Sequence, residues 1–179
     1  MSVACRLAFE GLEVVLDSPF ERSTHQCERV SDIRPDVLEA LRAYVEKYEL
    51  GDFESSAIAC CVTDSVPVKK HGRKKGGDAQ YTAIILTPVL LLWATTWMGD
   101  ITVAWARLSE IEVSNYVESP DYDLIPDSGV DIFGFIKGGP ERGSAFVGLG
   151  LEPAAEEFRI TLGEAVVKAG GRWKRQSPL

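Results

Sequence analysis

The sequence predicts a mainly β protein of the α+β class, and three observations carry that prediction. Residues 81–106, YTAIILTPVLLLWATTWMGDITVAWA, are the densest apolar run and are rich in the β-branched and aromatic side chains that suit a pleated surface. Further short apolar runs, near 56, 110, 130 and 145, are separated by glycine, proline and acidic residues, the punctuation of strands and turns. Two segments have helical spacing instead, and each opens on a proline, Pro35 and Pro153.

Within the central run, residues 81–87 form one strand and Pro88, which has no backbone N–H to give a ladder, marks its end. Residues 89–97 resume as a second strand, and Met98-Gly99-Asp100 turns the chain into a third, where Ile101, Val103 and Trp105 alternate with Thr102, Ala104 and Ala106. In the second strand Val89, Leu91, Trp93, Thr95 and Trp97 share one face and Leu90, Leu92, Ala94 and Thr96 the other, so neither face is polar and both need cover. A membrane span is excluded, because Pro88 and Asp100 leave the run short of the roughly 20 apolar residues a spanning helix needs.

At 179 residues, with 45% hydrophobic and 26% charged side chains, the chain matches one globular domain with an appendage, and whole-chain disorder is excluded. Arg6, Glu10 and Glu13 interrupt the first residues, so no secretory signal is read and a cytoplasmic location is expected. Cys5, Cys27, Cys60 and Cys61 show no C-x-x-C pairing, and Cys60 and Cys61 in one strand would face opposite ways. Small, buried, reduced thiols outweigh a zinc or redox reading. His25 and His71 are far apart in sequence, and no nucleophile–base arrangement stands out.

Residues 1–34 hint at a strand around Leu7 to Leu16, followed by loop from Pro19 through ERSTHQCER. A helix is predicted over 35–50, with Val37, Leu38, Leu41, Tyr44, Val45 and Tyr48 on its inner stripe, and the second apolar face of the central sheet is the surface it would cover. Residues 53–66 read as a strand leading into VPVKKHGRKKGGDAQ, a loop in which Lys69, Lys70, Arg73, Lys74 and Lys75 fall within seven positions. Without those five charges the net charge of −8 becomes −13. Strands follow at 111–116, 130–136 and 145–151, with an acidic surface loop, VESPDYDLIPDSG, and no basic residue from 108 to 136. Asp121, Asp123, Asp127 and Asp131 lack the spacing, glycine and glutamate of an EF-hand and read as a solvated acidic loop. Pro153 opens a last helix, lined by Ala155, Phe158, Leu162, Ala165, Val166 and Ala169, which Gly170-Gly171 stops. A basic tail, 172–179, ends the chain.

Strands followed by one amphipathic C-terminal helix, the hairpin ILTPVLLLWA, the segment Leu108-Ser109-Glu110-Ile111 and the ending EPAAEEFRITLGEAVVKAG resemble the pleckstrin-homology-like superfold in its bacterial, GRAM-like versions. The resemblance covers residues 53–171 and implies a seven-stranded, partly open barrel capped by the C-terminal helix, with residues 1–52 as an N-terminal extension. In lipid-binding members the loop between the first two strands carries phosphate-holding basic residues, the place Lys69, Lys70, Arg73, Lys74 and Lys75 take here. Such members also begin the second strand with a basic residue, where this chain has Gln80-Tyr81-Thr82.

A superfold of this kind does not fix function. The first expectation is a non-enzymatic binding or scaffold module that uses a sheet surface or the C-terminal helix to contact a protein partner or a second copy of itself. The alternative is an anion- or phospholipid-head-group-binding module using the basic loop 69–75. Strong net acidity and the absence of interleaved aromatic residues in the basic tract argue against nucleic acid. No catalytic set, metal or cofactor is expected.

Overall fold

The computed structural model describes residues 5–9, 12–16, 18–68 and 79–174. It is mainly β, with a curled, antiparallel, seven-stranded half-barrel at its centre. A hairpin of β1 (Cys5–Phe9) and β2 (Leu12–Leu16) forms a separate two-stranded sheet. The main sheet then runs β3 (Phe20–Gln26), β4 (Ala59–Pro67), β5 (Gln80–Leu86), β6 (Leu90–Trp97), β7 (Asp100–Asn115), β8 (Gly129–Ile136) and β9 (Gly143–Gly148), each strand beside the next. Between β3 and β4 lie helix α1 (Pro35–Lys47) and the single turn α2 (Phe53–Ser56); after β9 come α3 (Pro153–Ala169) and β10 (Arg172–Lys174), which pairs in parallel with β7.

The two apolar faces of β6 build two cores. Leu91 and Trp93 point into the concave side with Ile84, Leu86, Ala104, Val113, Ile132 and Val147, where Phe158, Leu162 and Val166 of α3 close over them. Leu90, Leu92 and Ala94 point to the convex side with Ala83, Ile85, Val103 and Trp105, under Val37, Leu38, Leu41 and Val45 of α1. The expected cover of the second face by the first helix is therefore present. Cys60 and Cys61 divide as strand geometry requires, one to each core.

Several local expectations are corrected. The polar stretch after Pro19 is strand β3, because at a sheet edge each polar side chain finds water or a specific partner: Thr24 Oγ1 lies 2.9 Å from Thr63 Oγ1, and Arg22 is engaged as described below. The helix ends at Lys47, short of 50. Residues 53–56 are helical, since the Asp52 carboxylate accepts from the Glu54 and Ser55 N–H groups at 3.1 Å each and Phe53 buries beneath α1; strand β4 starts only at Ala59. The apolar runs near 101 and 110 are one 16-residue strand, β7, irregular between Ala106 and Ile111, and β3 supplies the seventh strand. Residues 1–52 thus contribute a strand to the sheet as well as a helix. Val89 lies outside β6 and is exposed, in a turn where Thr87 Oγ1 accepts from the Leu90 N–H at 2.9 Å. Residues 172–174 of the basic tail are paired, and Gly171 makes that possible: a Cβ there would collide with the Leu108 carbonyl oxygen.

Candidate functional site

The expected anion-binding residues Lys69, Lys70, Arg73, Lys74 and Lys75 lie outside the described residues. Their flanks are placed: Val68, whose N–H donates to the Pro19 carbonyl at 3.0 Å, and Gln80 at the start of β5. At the same end of the sheet the β6–β7 turn presents Trp97 and Met98 to solvent.

The acidic loop is only partly the solvated segment expected. Asp127 is buried in an ion pair with Arg22, and burial raises the Asp131 carboxyl above the ordinary range, with Asp121 adding to the rise and a Ser119 hydrogen bond opposing it. Among the described residues no group of three His, Cys, Asp or Glu side chains could hold a metal ion. His25 is exposed on β3 beside Ser23, its Nε2 3.2 Å from Ser23 Oγ.

The sheet's two edges, β3 and β9, are not paired to each other, and side chains fill the seam. The Arg22 guanidinium lies against Gly148, donates to Asp127 and Ser65, and stacks on the rings of Phe20 and Phe146 at 4.9 and 5.4 Å. One step further, Gly150 N–H donates to Thr24 Oγ1 at 2.8 Å, and Arg159 of α3 donates to the Gly150 carbonyl at 2.7 Å. Burial pushes the Arg159 guanidinium below its ordinary value, with Glu156 opposing the shift. The seam is a structural closure, and it fixes α3 against the barrel mouth.

Fixing α3 leaves its outer side facing a cleft of about 600 Å³ between the helix and β10. Ile160 and Val167, 55% and 61% exposed, sit two turns apart on that side, with Gly163 between them and the half-buried Trp173 indole packed over Gly163. Glu156, Glu164 and Lys168 line the same cleft, and the Asn115 side-chain oxygen beneath is buried without a partner. An apolar strip with a rim of both charges can hold an apolar side chain of another chain and orient it by ionic contacts. The C-terminal helix is one of the two contact surfaces expected from sequence, with only its buried stripe given residue by residue; Ile160 and Val167, apolar but off that stripe, are the sequence signal for its outer side, whereas Trp173 falls in the expected tail.

Comparison of the chain with family models, with curated proteins and with solved structures finds no match.

Proposed function

We propose that the chain is a non-enzymatic binding module of the pleckstrin-homology-like type, which takes an apolar protein segment, from a partner or from a second copy of itself, in the cleft between α3 and Trp173. The exposed pair Ile160 and Val167 beside a half-buried Trp173 carries this reading. Of the two surfaces expected from sequence, the sheet face is covered by α1, which leaves the C-terminal helix. Burying one aliphatic anchor contributes about 1.5–3 kcal/mol, and association itself costs several, so two or three anchors give a transient complex. The seven-stranded curled sheet closed by α3 supports the superfold assignment without bearing on the ligand.

The test is a photo-crosslinking residue at position 167 in the full chain, expressed in its native cell. The expected result is a discrete covalent adduct, either a dimer of this chain or one partner, and the absence of any adduct argues against the reading.

A second reading, binding to an anionic lipid surface, is favoured by one observation: exposed Trp97 and Met98 occupy the end of the sheet from which the segment containing Lys69, Lys70, Arg73, Lys74 and Lys75 departs. Exposed apolar side chains in a chain that also carries a basic tract are the chemistry of interfacial binding.

A further inference from the structure

Cys27 and Cys60 are 33 positions apart in sequence and face each other across the edge of the sheet. Strand β3 pairs with β4 up to Gln26 opposite Cys61, and the same register carried one residue further sets Cys27 opposite Cys60. The Cys27 N–H donates to the Cys60 carbonyl at 2.9 Å, which confirms the alignment. Directly opposed antiparallel residues have Cα atoms about 4.5–5.5 Å apart, inside the window of about 4.4–6.8 Å that a disulfide accepts. Both thiols are free, and each perturbs the acidity of the other. They also line an open hollow of about 630 Å³ with Glu28, Arg29, Glu54 and Ile58, so a small solute can reach them. Cys61, on the same strand, points into the other core and takes no part.

From this juxtaposition we propose that Cys27 and Cys60 form an oxidisable dithiol, a modification site for two-electron oxidants of the peroxide or small-disulfide class. Cys27, half-buried at the rim, is the attacking thiol, and buried Cys60 resolves it. With hydrogen peroxide, the Cys27 thiolate attacks one oxygen, the O–O bond breaks, and Cys27 sulfenic acid and water result after proton transfer. The Cys60 sulfur then attacks the Cys27 sulfur, hydroxide leaves and takes up the Cys60 proton as a second water, and the S–S bond closes. Two thiols are oxidised by two electrons and one peroxide is reduced to two waters. The order of the roles agrees with the thiol–thiol hydrogen bond, which lowers Cys27 from its ordinary value and raises Cys60. The cross-link would tie β3 to β4 where the chain leaves the sheet for α1.

The experiment treats the native full-length chain with hydrogen peroxide, or with oxidised glutathione, and follows free thiols and intact mass, with tandem mass spectrometry to locate the link. The expected result is loss of two of the four thiols, a mass lower by about 2 Da, a Cys27–Cys60 linkage, and full reversal by dithiothreitol. Cys27→Ser, at a half-buried rim position, is expected to stay folded and to form no intramolecular link. Retention of all four thiols under conditions that oxidise a free dithiol, or a link that persists in Cys27→Ser, overturns the proposal.

Discussion

Arg22 and Asp127 form a bidentate ion pair, Nε to Oδ1 and Nη2 to Oδ2 at 2.7 Å each, across 105 residues of sequence. Their side chains are only 6% and 7% exposed. The pair joins edge strand β3 to the loop that precedes β8, and Asp127 also accepts the Ser128 N–H at 2.7 Å while Arg22 donates to Ser65 Oγ at 2.6 Å. Removing one partner strands the other charge in a buried site. Asp127→Ala is therefore expected to cost about 3–5 kcal/mol, and the double variant Arg22→Met with Asp127→Leu to recover most of it, as read from urea unfolding. Equal losses in the single and double variants would show that the seam does not depend on matched charge.

Leu92 and Trp93 face opposite cores of the same strand, Leu92 toward α1 and Trp93 toward α3. Leu92→Asp and Trp93→Asp are each expected to abolish cooperative folding, because an unpaired buried carboxylate costs several kcal/mol against a total stability of about 5–15. Circular dichroism melts check this; a cooperative transition in either variant would mean that one face tolerates water.

Deleting residues 1–50 removes α1 and also β3, which uncovers Ile85, Leu92 and Trp105 and leaves Asp127 without Arg22. The truncated chain is expected to aggregate or oligomerise, since the exposed patch is larger than monomers usually carry. Light scattering after size exclusion reads the outcome, and a clean monomer with the full-length melting temperature would place the stabilising contacts elsewhere.

Asp131 gives a pH dependence with a definite sign. Burial raises its folded-state value, so its contribution is most favourable below the unfolded value and is lost as pH rises through the folded one. Asp131→Asn is thus expected to be more stable than the wild type near neutral pH, with the difference shrinking as pH falls through the raised folded value towards the ordinary carboxylate one. Thermal melts of both chains across pH 3–7 check it. The side chain is partly solvated, so the gap is expected to be small.

The basic tract separates the two functional readings. Five charges near an anionic surface contribute about 5 kcal/mol at most, at about 1 kcal/mol each, while the remaining −13 of the chain opposes approach. No co-sedimentation with anionic vesicles is expected at physiological salt. Binding that disappears when Lys69, Lys70, Arg73, Lys74 and Lys75 all become Ser would put the lipid reading first.

Much of the sheet was legible because β6 carries apolar residues on both faces, which requires cover on both sides and so gives the first helix a face to lie on. Proline at the first position of α1 and α3 and the Gly170 stop were local signals with local causes. Strand β3 was not legible, because an edge strand built from FERSTHQ owes its place to Arg22 meeting Asp127 and Thr24 meeting Thr63, partners that only the folded chain brings together. The Cys27–Cys60 pair escaped for the same reason: its spacing matches no sequence motif, and it exists only once β3 lies on β4. The α3 cleft was half legible, in Ile160 and Val167, but Trp173 joins them only through the β10–β7 pairing.

The most direct test of the binding account compares the wild type with Ile160→Glu plus Val167→Glu, both sites being more than half exposed. Crosslinking is carried out in the native cell from a photoreactive residue at position 164, which lines the same cleft. The double variant is expected to melt within about 3 °C of the wild type, as for surface changes that cost little, and to give no adduct. An adduct that survives in the stably folded double variant would contradict it.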